Sequence, residues 1–455
     1  MQAMKLGDIN WILNGALIGG PSDQDITGVC TDSRLAKPGD MFFALVADRD
    51  GHAFVEDAAR AGAVAAVVSQ EIEIDLPLIV VPDTLRALGD LARSYRHNYQ
   101  IPVVAVTGSV GKTTTKEMIA AVLSRKYSVL KNDGNFNNEI GLPMTLFQLD
   151  SSYSAAVLEM AMRGPEEIRR LADIARPKIA VITNIGLSHV ERLGSIEAIA
   201  TAKSEILEDL PPEGLAVLNG DDEFYEYMKS RRFGRSIAFG ENPSCEIHAS
   251  HIRTHPDGRA GATIATPRGV MELELATVGQ HNIWNAMAAI AVGVETGIEL
   301  DEIKAALEVF GAPSMRANVV RAPLGYTVIN DAYNASPASM TAALRALASM
   351  EGDRKIAVLG DMLELGEYAD AAHIEVGRVV KEQGIDRLIT VGELGRRIGD
   401  GAAENGFPRS EIRNYDGSDQ VAPGLRAELR PGDVILVKGS RMMKMETIVE
   451  GLLGE

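Results

Sequence analysis

The chain has 455 residues, which is too long for one hydrophobic core and suggests about three domains of ordinary size. Apolar residues make up 46% of it and charged residues 24%, as in soluble globular proteins. The net charge of −18 argues against a nucleic acid or an anionic membrane as a partner, because both need a basic face. Anionic small molecules would therefore have to be bound in local basic pockets.

The cysteine content and the N-terminus indicate a cytoplasmic protein without a membrane span. Only two cysteines, Cys30 and Cys245, are present, and their spacing indicates neither a disulfide framework nor a thiolate metal site. Lys5 and Asp8 interrupt the N-terminus, which lacks the apolar stretch of a signal peptide. The longest apolar runs, such as residues 286–294, are too short to cross a bilayer.

The first predicted domain, residues 1–99, has a mixed α/β pattern. Apolar runs predict strands at 40–46, 63–68 and 78–81 and a helix at 54–61. A polar stretch at 93–100 stands just before Pro102, and it is predicted to be a linker.

The second predicted domain, residues 100–312, alternates strands with helices, which favours a doubly wound, mostly parallel sheet. Strands are predicted at 103–106, 155–158, 179–183 and 215–218, with shorter strands between 245 and 278 and an apolar helix at 283–296. The segment 310–313 contains Gly and Pro and marks a boundary.

The third predicted domain, residues 313–455, is a second α/β unit of Rossmann-like type. Its strands are predicted at 326–330, 355–359, 387–391 and 433–438, with helical stretches between them. The whole chain is thus predicted to be an α/β protein of three domains.

A glycine-rich loop between the strand at 103–106 and a helical stretch is typical of a triphosphate site. Lys112 would neutralise β- and γ-phosphate oxygens, and a following hydroxyl would reach Mg²⁺. The loop is shorter than the general P-loop pattern, since Val106 stands where that pattern has its first glycine. The alternative is a glycine turn with a solvated lysine. The predicted nucleotide contacts here are Thr107, Gly108, Ser109, Val110, Gly111, Lys112, Thr113 and Thr114.

Polar residues follow two strands of the predicted central sheet. Glu159 ends the strand at 155–158, and His189 comes shortly after the strand at 179–183. The carboxyl ends of parallel strands are where Mg²⁺ ligands and ligand sites lie. A solvated glutamate and a structural histidine are the alternatives. Lys203, near the start of a helix, is an ordinary surface lysine from its sequence alone.

Four further groups of residues could contact a nucleotide or a carboxylate. Asn282 and Asn285 lie three apart on one helical face and could read a purine edge, although Asn282 could instead cap the helix. Arg316 could clamp a phosphate or be a linker arginine. Residues 331–334 follow a strand, where Asp331 could accept from a ribose hydroxyl or cap a turn. Ser440 and Arg441 suit a carboxylate or a surface salt bridge.

Taken in chain order, these motifs resemble the Mur ligase family, the ATP-dependent amide-forming enzymes of bacterial peptidoglycan synthesis. The resemblance rests on residues 107–114, Glu159, 183–189, 202–206 and 281–289 and covers all three domains. The short glycine loop is then the family's own variant.

Within the family, four segments are similar to the ligases that join D-alanyl-D-alanine to a UDP-N-acetylmuramoyl-tripeptide. They are residues 32–45, 134–143, 330–337 and 360–366. Two related alternatives are the ligase that adds the third residue and a folylpolyglutamate-type ligase. A P-loop regulatory switch would need an Asn-Lys-x-Asp element, and the stretch after Thr183 has neither that lysine nor that aspartate. The third residue of the tripeptide, lysine or diaminopimelate, stays open.

The resemblance implies a binding role for each domain. The first domain would hold the UDP-muramoyl end, the second ATP, and the third would close over both with the incoming amine. ATP would phosphorylate the peptide carboxylate, and the amine of D-alanyl-D-alanine would displace phosphate from the acyl phosphate. The expected protein is a monomer without a nucleic-acid partner.

The resemblance also assigns residues. Two Mg²⁺ sites are implied, one with Thr113 and Glu159 and one with His189 and Lys203, the latter as a carbamate. Lys112, Lys203, His189 and Glu159 would be the catalytic set. Further nucleotide contacts would be Asn282, Asn285, Asp331, Tyr333 and Asn334, beside the phosphate contact considered above for Arg316. Substrate contacts would be Ser33, Arg34, Asn137, Asn138, Ser440 and Arg441.

Overall fold

A computed structural model describes residues 1–454. The chain forms two compact units, of which the first comprises residues 1–105, 127–180 and 205–214 and the second comprises 106–126, 181–204 and the chain from 215 onward. Three principal sheets, of five, nine and six strands, confirm the predicted α/β class. Within the described residues, no helix has the length and apolar character needed to cross a bilayer.

The N-terminal part of the first unit contains a five-stranded sheet, ordered β2-β7-β6-β5-β4, and a two-stranded sheet of β1 and β3. Strands β4 to β7 are parallel, and β2 is antiparallel to β7. The bounds are β1 (Met4–Lys5), β2 (Ala16–Ile18), β3 (Asp25–Ile26), β4 (Gly28–Cys30), β5 (Asp40–Phe43), β6 (Ala65–Val68), β7 (Leu78–Val80), α1 (Leu6–Leu13), α2 (Val55–Ala61) and α3 (Thr84–His97).

Helix α3 corrects the linker prediction for residues 93–97, which are helical. Asp83 caps the helix by accepting from Leu85 N and Arg86 N at 2.9 and 3.0 Å. Tyr95 is buried and donates to Leu149 O at 2.6 Å, so the last turn packs in the first unit. Of the polar residues that predicted a linker, His97 is exposed and Arg93 is half-buried, whereas Arg96 is buried and donates to Ile101 O at 3.2 Å.

The nine-stranded sheet has the order β16-β15-β14-β13-β12-β11-β8-β10-β9. Its strands are β8 (Val103–Thr107), β9 (Val129–Lys131), β10 (Ala155–Glu159), β11 (Ile179–Ile182), β12 (Leu215–Asn219), β13 (Arg235–Gly240), β14 (Ile247–Thr254), β15 (Arg259–Thr266) and β16 (Gly269–Val278). The helices of this part are α4 (Lys112–Leu123), α5 (Gly141–Leu146), α6 (Glu167–Ala175), α7 (Val190–Leu193), α8 (Ile196–Glu208), α9 (Tyr225–Ser230), α10 (His281–Glu295) and α11 (Leu300–Glu308).

Burial explains the strand patterns of this sheet. Every residue of β8, β10 and β11 is buried, as in parallel strands covered on both faces, and their sequences are apolar runs. Strands β14, β15 and β16 pair antiparallel, and β16 alternates between exposed and buried positions along much of its length. The prediction of further strands between 245 and 278 is therefore confirmed.

The C-terminal part of the second unit is a six-stranded sheet ordered β17-β18-β22-β19-β20-β21, parallel except between β17 and β18. Val328, Val358, Ile389 and Ile435 form part of its core. The bounds are β17 (Asn318–Arg321), β18 (Thr327–Asp331), β19 (Arg354–Gly360), β20 (Arg387–Val391), β21 (Ile412–Tyr415), β22 (Asp433–Lys438), α12 (Pro337–Ser349), α13 (Ala369–Glu382), α14 (Gly395–Glu404), α15 (Val421–Arg426) and α16 (Glu446–Leu453).

Candidate active site

The glycine-rich loop joins β8 to the first turn of α4, which begins at Lys112 and contains Thr113 and Thr114. Gly108 and Gly111 have φ of 146° and 84°, where residues with a side chain are strained. A Cβ at Gly108 would lie 1.9 Å from Thr183 Oγ1, and one at Gly111 would lie 2.5 Å from Asn285 Oδ1. Both glycines are therefore required by conformation and by close approach. Nearby, Thr107 is fully buried.

The segment after β11 holds this loop in shape. Asn184 Oδ1 accepts from Val110 N at 2.9 Å, while Asn184 Nδ2 donates to Val110 O at 2.9 Å. Ser109 N donates to Asn184 O at 2.9 Å. The loop is thus preformed, with its backbone fixed before any phosphate arrives.

Two lysines meet at the same carbonyl of the loop. Lys112 Nζ donates to Gly108 O at 2.8 Å, and Lys203 Nζ donates to Gly108 O at 2.9 Å. Lys203 is 1% exposed, so its interpretation as a surface lysine is wrong. Burial, and secondly the charge of Lys112, hold the pKa of Lys203 well below its usual range. The site therefore favours the neutral amine of Lys203.

Arg316 reaches the loop rather than lying in an isolated linker. Its Nη2 donates to Thr113 Oγ1 at 3.1 Å, and its guanidinium carbon lies 4.0 Å from the centre of the Tyr333 ring. Stacking of this kind fixes the planar guanidinium. The structure thus brings Thr113, Arg316 and Tyr333 together.

A cavity of about 830 Å³ opens beside Val110 and Gly111 of the loop. Residues from the ends of β11 and β12, from α10 and from α12 line it. The sequence analysis missed most of them, including Asn219, Asp221, Gln280, His281, Trp284 and Arg345. Burial lowers the pKa of His281, which Asp331 raises in part, so this ring is biased towards its neutral form.

The two asparagines of α10 have different positions. Asn285 lines the cavity, where its Oδ1 accepts from Thr115 Oγ1 at 3.1 Å. Its Nδ2 donates to Asn282 Oδ1 at 2.9 Å, and Asn282 Nδ2 donates to Val278 O at 2.8 Å. Asn282 therefore supports Asn285, with its own amide bonded to the protein.

Asp331 and Asn334 share a buried lysine that the sequence analysis missed. Lys438 Nζ donates to Asp331 Oδ2 at 2.6 Å and to Asn334 O at 2.9 Å. Asp331 Oδ1 accepts from Ala317 N at 3.1 Å. The available signal was a lysine that follows the apolar residues 434–437 of β22 and pairs in register with Asp331 at the carboxyl end of β18.

His189 is paired with a carboxylate from the loop after β19. Its Nδ1 lies 2.5 Å from Glu364 Oε2, and both residues have positive φ, at 57° and 65°. Glu191 N also donates to Glu364 O at 3.2 Å. Glu364 belongs to the segment 360–366 that the sequence analysis singled out without giving it a role.

Glu159, in the first unit, is 3% exposed. Its Oε1 accepts from Asn137 Nδ2 at 2.7 Å, whereas its Oε2 is buried without a hydrogen-bond partner in residues 1–454. A buried carboxylate oxygen left without a donor suits a cation. Asn138 Oδ1 instead accepts from the N–H of Gly141, the first residue of α5, at 2.8 Å. No group of three or more acidic, histidine or cysteine side chains suited to a metal ion occurs in the described chain.

The remaining predicted substrate residues are two pairs of sequence neighbours, Ser33 with Arg34 and Ser440 with Arg441. Arg34 donates to both carboxylate oxygens of Asp32, at 2.9 and 2.6 Å, and these bonds lower the pKa of Asp32 to about 2, while the neighbouring Ser33 is buried. Ser440 is buried and accepts from Leu363 N at 2.8 Å. Arg441 pairs with Glu446 at 2.7 Å, which is the surface salt bridge considered as its alternative.

Residues 106–293 match the profile of the Mur ligase middle domain, and residues 315–441 match that of the Mur ligase glutamate ligase domain. Together with the three sheets and the preformed phosphate loop, these matches mean that the chain belongs to the Mur ligase family.

Individual relatives and solved structures indicate which members of the family this chain is similar to. The UDP-N-acetylmuramoyl-tripeptide--D-alanyl-D-alanine ligase of Bacillus subtilis is 40% identical over 94% of this chain and 93% of its own length. A crystal structure of MurF from Acinetobacter baumannii superposes with a TM-score of 0.92 at 32% identity, covering 100% of both chains. MurF from Thermotoga maritima in complex with ADP has a TM-score of 0.85 at 29% identity, over 94% of this chain and 97% of that one.

Proposed function

We propose that this chain is the ATP-dependent ligase that joins D-alanyl-D-alanine to UDP-N-acetylmuramoyl-tripeptide in peptidoglycan precursor synthesis. The main support is the similarity over nearly the full length, at 40% identity, to the UDP-N-acetylmuramoyl-tripeptide--D-alanyl-D-alanine ligase of Bacillus subtilis. The preformed phosphate loop with Lys112, beside the buried amine of Lys203, supports an ATP-dependent reaction. The products are UDP-N-acetylmuramoyl-pentapeptide, ADP and phosphate.

ATP would lie along the loop and in the adjoining cavity. The loop N–H groups and the start of α4 suit the phosphates, because a helix N-terminus carries partial positive charge. The cavity beside Gly111 has room for a nucleoside, and ADP is the ligand named for the Thermotoga maritima structure. Arg316, held on Tyr333 and bonded to Thr113, is in position to contact a phosphate oxygen.

The chemistry follows from charge and positioning. The γ-phosphoryl group passes from ATP to the tripeptide carboxylate, giving an acyl phosphate and ADP. The amine of D-alanyl-D-alanine then attacks the acyl carbon, and phosphate leaves. Lys112 neutralises charge that develops on the transferred group, while the rigid loop holds it in line.

Mg²⁺ would supply further neutralisation of the phosphates. The unpartnered Glu159 Oε2 and the Thr113 hydroxyl have the oxygen chemistry that Mg²⁺ prefers, and His189 and Lys203 are proposed for a second site. Lys203 would serve as a carbamate. Its neutral amine has the lone pair that attacks CO₂, and its low pKa keeps that form available.

The remaining assignments rest on the family resemblance. We place the UDP-sugar domain at residues 1–99, the ATP domain at 100–312 and the domain for the incoming dipeptide at 313–455. Asn285, Asp331 and Asn334 are proposed to complete the nucleotide site, with Asn282 supporting Asn285. Ser33, Arg34, Asn137, Asn138, Ser440 and Arg441 are proposed for the substrates. We further propose that the protein is a cytoplasmic monomer.

A substrate panel tests the proposal. Phosphate release should require ATP, a UDP-N-acetylmuramoyl-tripeptide and D-alanyl-D-alanine together, with both lysine and diaminopimelate forms of the tripeptide supplied. Mass spectrometry should find the pentapeptide product. Release that depends on a single free amino acid instead would reject the dipeptide-adding function in favour of the related ligases.

A further inference from the structure

One aromatic side chain in the nucleotide cavity has no role in the function proposed above. Trp284 lies on α10, one position before Asn285, and lines the cavity. Indole is a large, flat apolar surface with a single donor, and a buried or half-buried Trp Nε1 normally finds an acceptor. Here Nε1 donates to Asp221 Oδ2 at 2.8 Å.

The acceptor is itself held in place. Asp221 lies just after β12, and its carboxylate accepts from Glu241 N at 2.7 Å and from Asn242 N at 3.0 Å. Asp221 N also donates to Asn219 Oδ1 at 3.0 Å. These bonds leave the carboxylate little freedom, so the hydrogen bond to Nε1 sets the orientation of the indole ring.

Other lining groups suit a flat ring. Phe239 is almost fully buried and lines the cavity too. Ala338, Ala342 and Ala346 line it from α12 at a spacing of four residues, which places them on one face of that helix. These alanines present methyl groups, while Arg345 and Ser349 of the same helix add polar groups to the lining. The cavity thus offers aromatic and small apolar surfaces next to the phosphate loop at Val110 and Gly111.

We infer that Trp284 is the stacking surface for the purine base of the nucleotide, held in its orientation by Asp221, and that it makes the site prefer adenine over a pyrimidine. This inference rests on the proposed function, because it takes the cavity beside the loop as the ATP site. A purine offers a larger ring to overlap the indole than a pyrimidine does, and stacking requires no specific hydrogen bond.

The tryptophan content makes the inference directly measurable. The chain has two tryptophans, and the other, Trp11, is 83% exposed on α1. The variant Trp11→Phe therefore leaves Trp284 as the sole indole fluorophore. ADP added with Mg²⁺ should change its emission in a saturable way, with the same Kd that calorimetry gives. UDP at the same concentrations should leave the emission unchanged.

Substitutions then test stacking itself. Trp284→Ala should weaken ADP binding by roughly tenfold, the loss typical of a base–aromatic stack, and should reduce the preference for ADP over UDP. Trp284→Phe keeps a ring and should lose only about threefold. Trp11→Ala is the matched control, since it removes an exposed indole from outside the site and should leave both affinities as they are.

A double-mutant cycle tests the role of Asp221 in positioning. Asp221→Asn should weaken ADP binding in the wild-type background, because the indole loses its charged acceptor. In the Trp284→Phe background the same change should have no further effect, since the hydrogen bond is already absent. Equal effects in both backgrounds would show that Asp221 acts on the surrounding loop and not through Trp284.

The outcomes separate this inference from the proposed function. If calorimetry shows ADP binding while Trp284 emission and the Trp284→Ala affinity stay unchanged, the stacking inference is wrong and the ligase function stands. If UDP changes the emission as ADP does, the purine preference is wrong. If ADP does not bind to the intact protein at all, the ATP-dependent function fails together with the inference.

Discussion

At the scale of single residues, the least expected feature is a fully buried lysine beside a second lysine. Lys203 and Lys112 share Gly108 O as an acceptor, and burial lowers the pKa of Lys203. An ammonium in that position would be costly, because it lacks both bulk water and an opposing carboxylate bond. A neutral amine avoids that cost, and the carbamate proposed above would have the opposite charge of Lys112 beside it.

Removal of Lys203 should therefore be repairable by a small anion. We predict that Lys203→Ala loses turnover by at least about a hundredfold, as expected when a group that binds metal and orients substrate is removed. Acetate or formate should restore part of the activity by occupying the space of the proposed carbamate. Steady-state phosphate release with and without the added acid measures this.

Lys112→Ala is the matched comparison. It should also be inactive, but short carboxylic acids should not rescue it, because the missing group is a cation. Binding of the UDP-substrate should survive in this variant. Rescue of both variants, or of neither, would contradict the anionic role proposed for Lys203.

At the scale of elements, a buried histidine joins α13 to the loop that carries Glu364. His373 Nε2 accepts from Met362 N at 2.9 Å, and its Nδ1 lies 2.6 Å from Ala369 O, which fixes a neutral tautomer with the proton on Nδ1. Burial lowers the pKa of His373, although Ala369 O and the carboxylates of Asp361 and Asp370 raise it in part. Protonation of Nε2 would remove the acceptor for Met362 N.

The protein should consequently lose stability in mild acid through this residue. The pKa of His373 is lower in the folded than in the unfolded chain, so the unfolded state takes up the proton first as pH falls below about 6.5. Stability then declines by up to about 1.4 kcal/mol per pH unit. The variant His373→Gln should be less stable than wild type at neutral pH, but its stability should change less with pH below about 6.5.

Thermal unfolding midpoints (Tm) of wild type and His373→Gln, measured across this pH range, test the prediction. The difference in Tm between the two proteins should narrow as the pH is lowered. A gap that stays constant would mean that another group titrates, and one that widens would contradict the sign of the shift.

Most strands could be predicted from the sequence, because a strand that is buried on both faces has a continuous apolar sequence. Strands such as β8 and β22 are wholly buried and appear as apolar runs, so they were found within a residue or two. Helix α3 was partly missed because its last turns are rich in polar residues, of which Arg93 is half-exposed while Arg96 is buried beside Tyr95. Composition alone cannot separate an amphipathic helix end from a linker.

The site could be predicted less completely, because most of its bonds join residues far apart in sequence. Gly108 and Lys112 stand in a recognisable motif. Trp284 lies within the segment 281–289 but had no role there, and Lys438 only ends a predicted strand. The roles of both depend on partners more than 60 residues away, Asp221 and Asp331. Side-chain direction was equally hidden, since nothing in the sequence shows that Asn282 is bonded to Val278 O while Asn285 lines the cavity.

At the scale of the whole molecule, the net charge of −18 repels the anionic ligands of the protein. ADP and UDP-linked substrates are anions, and a protein with 63 acidic and 45 basic side chains repels them at long range. Close to the site, Lys112 and Arg316 attract them instead. Salt separates these effects, because screening removes the long-range part first.

We therefore predict that ADP associates faster, by a few-fold, when ionic strength is raised from about 0.01 M to about 0.15 M, which shortens the screening length from about 30 to about 8 Å. Stopped-flow mixing with a fluorescent ADP analogue measures the association rate, and uncharged adenosine serves as the control whose rate should not respond. A rate for ADP that falls with salt would mean that the cations around the loop, and not the acidic surface, dominate the approach of the nucleotide.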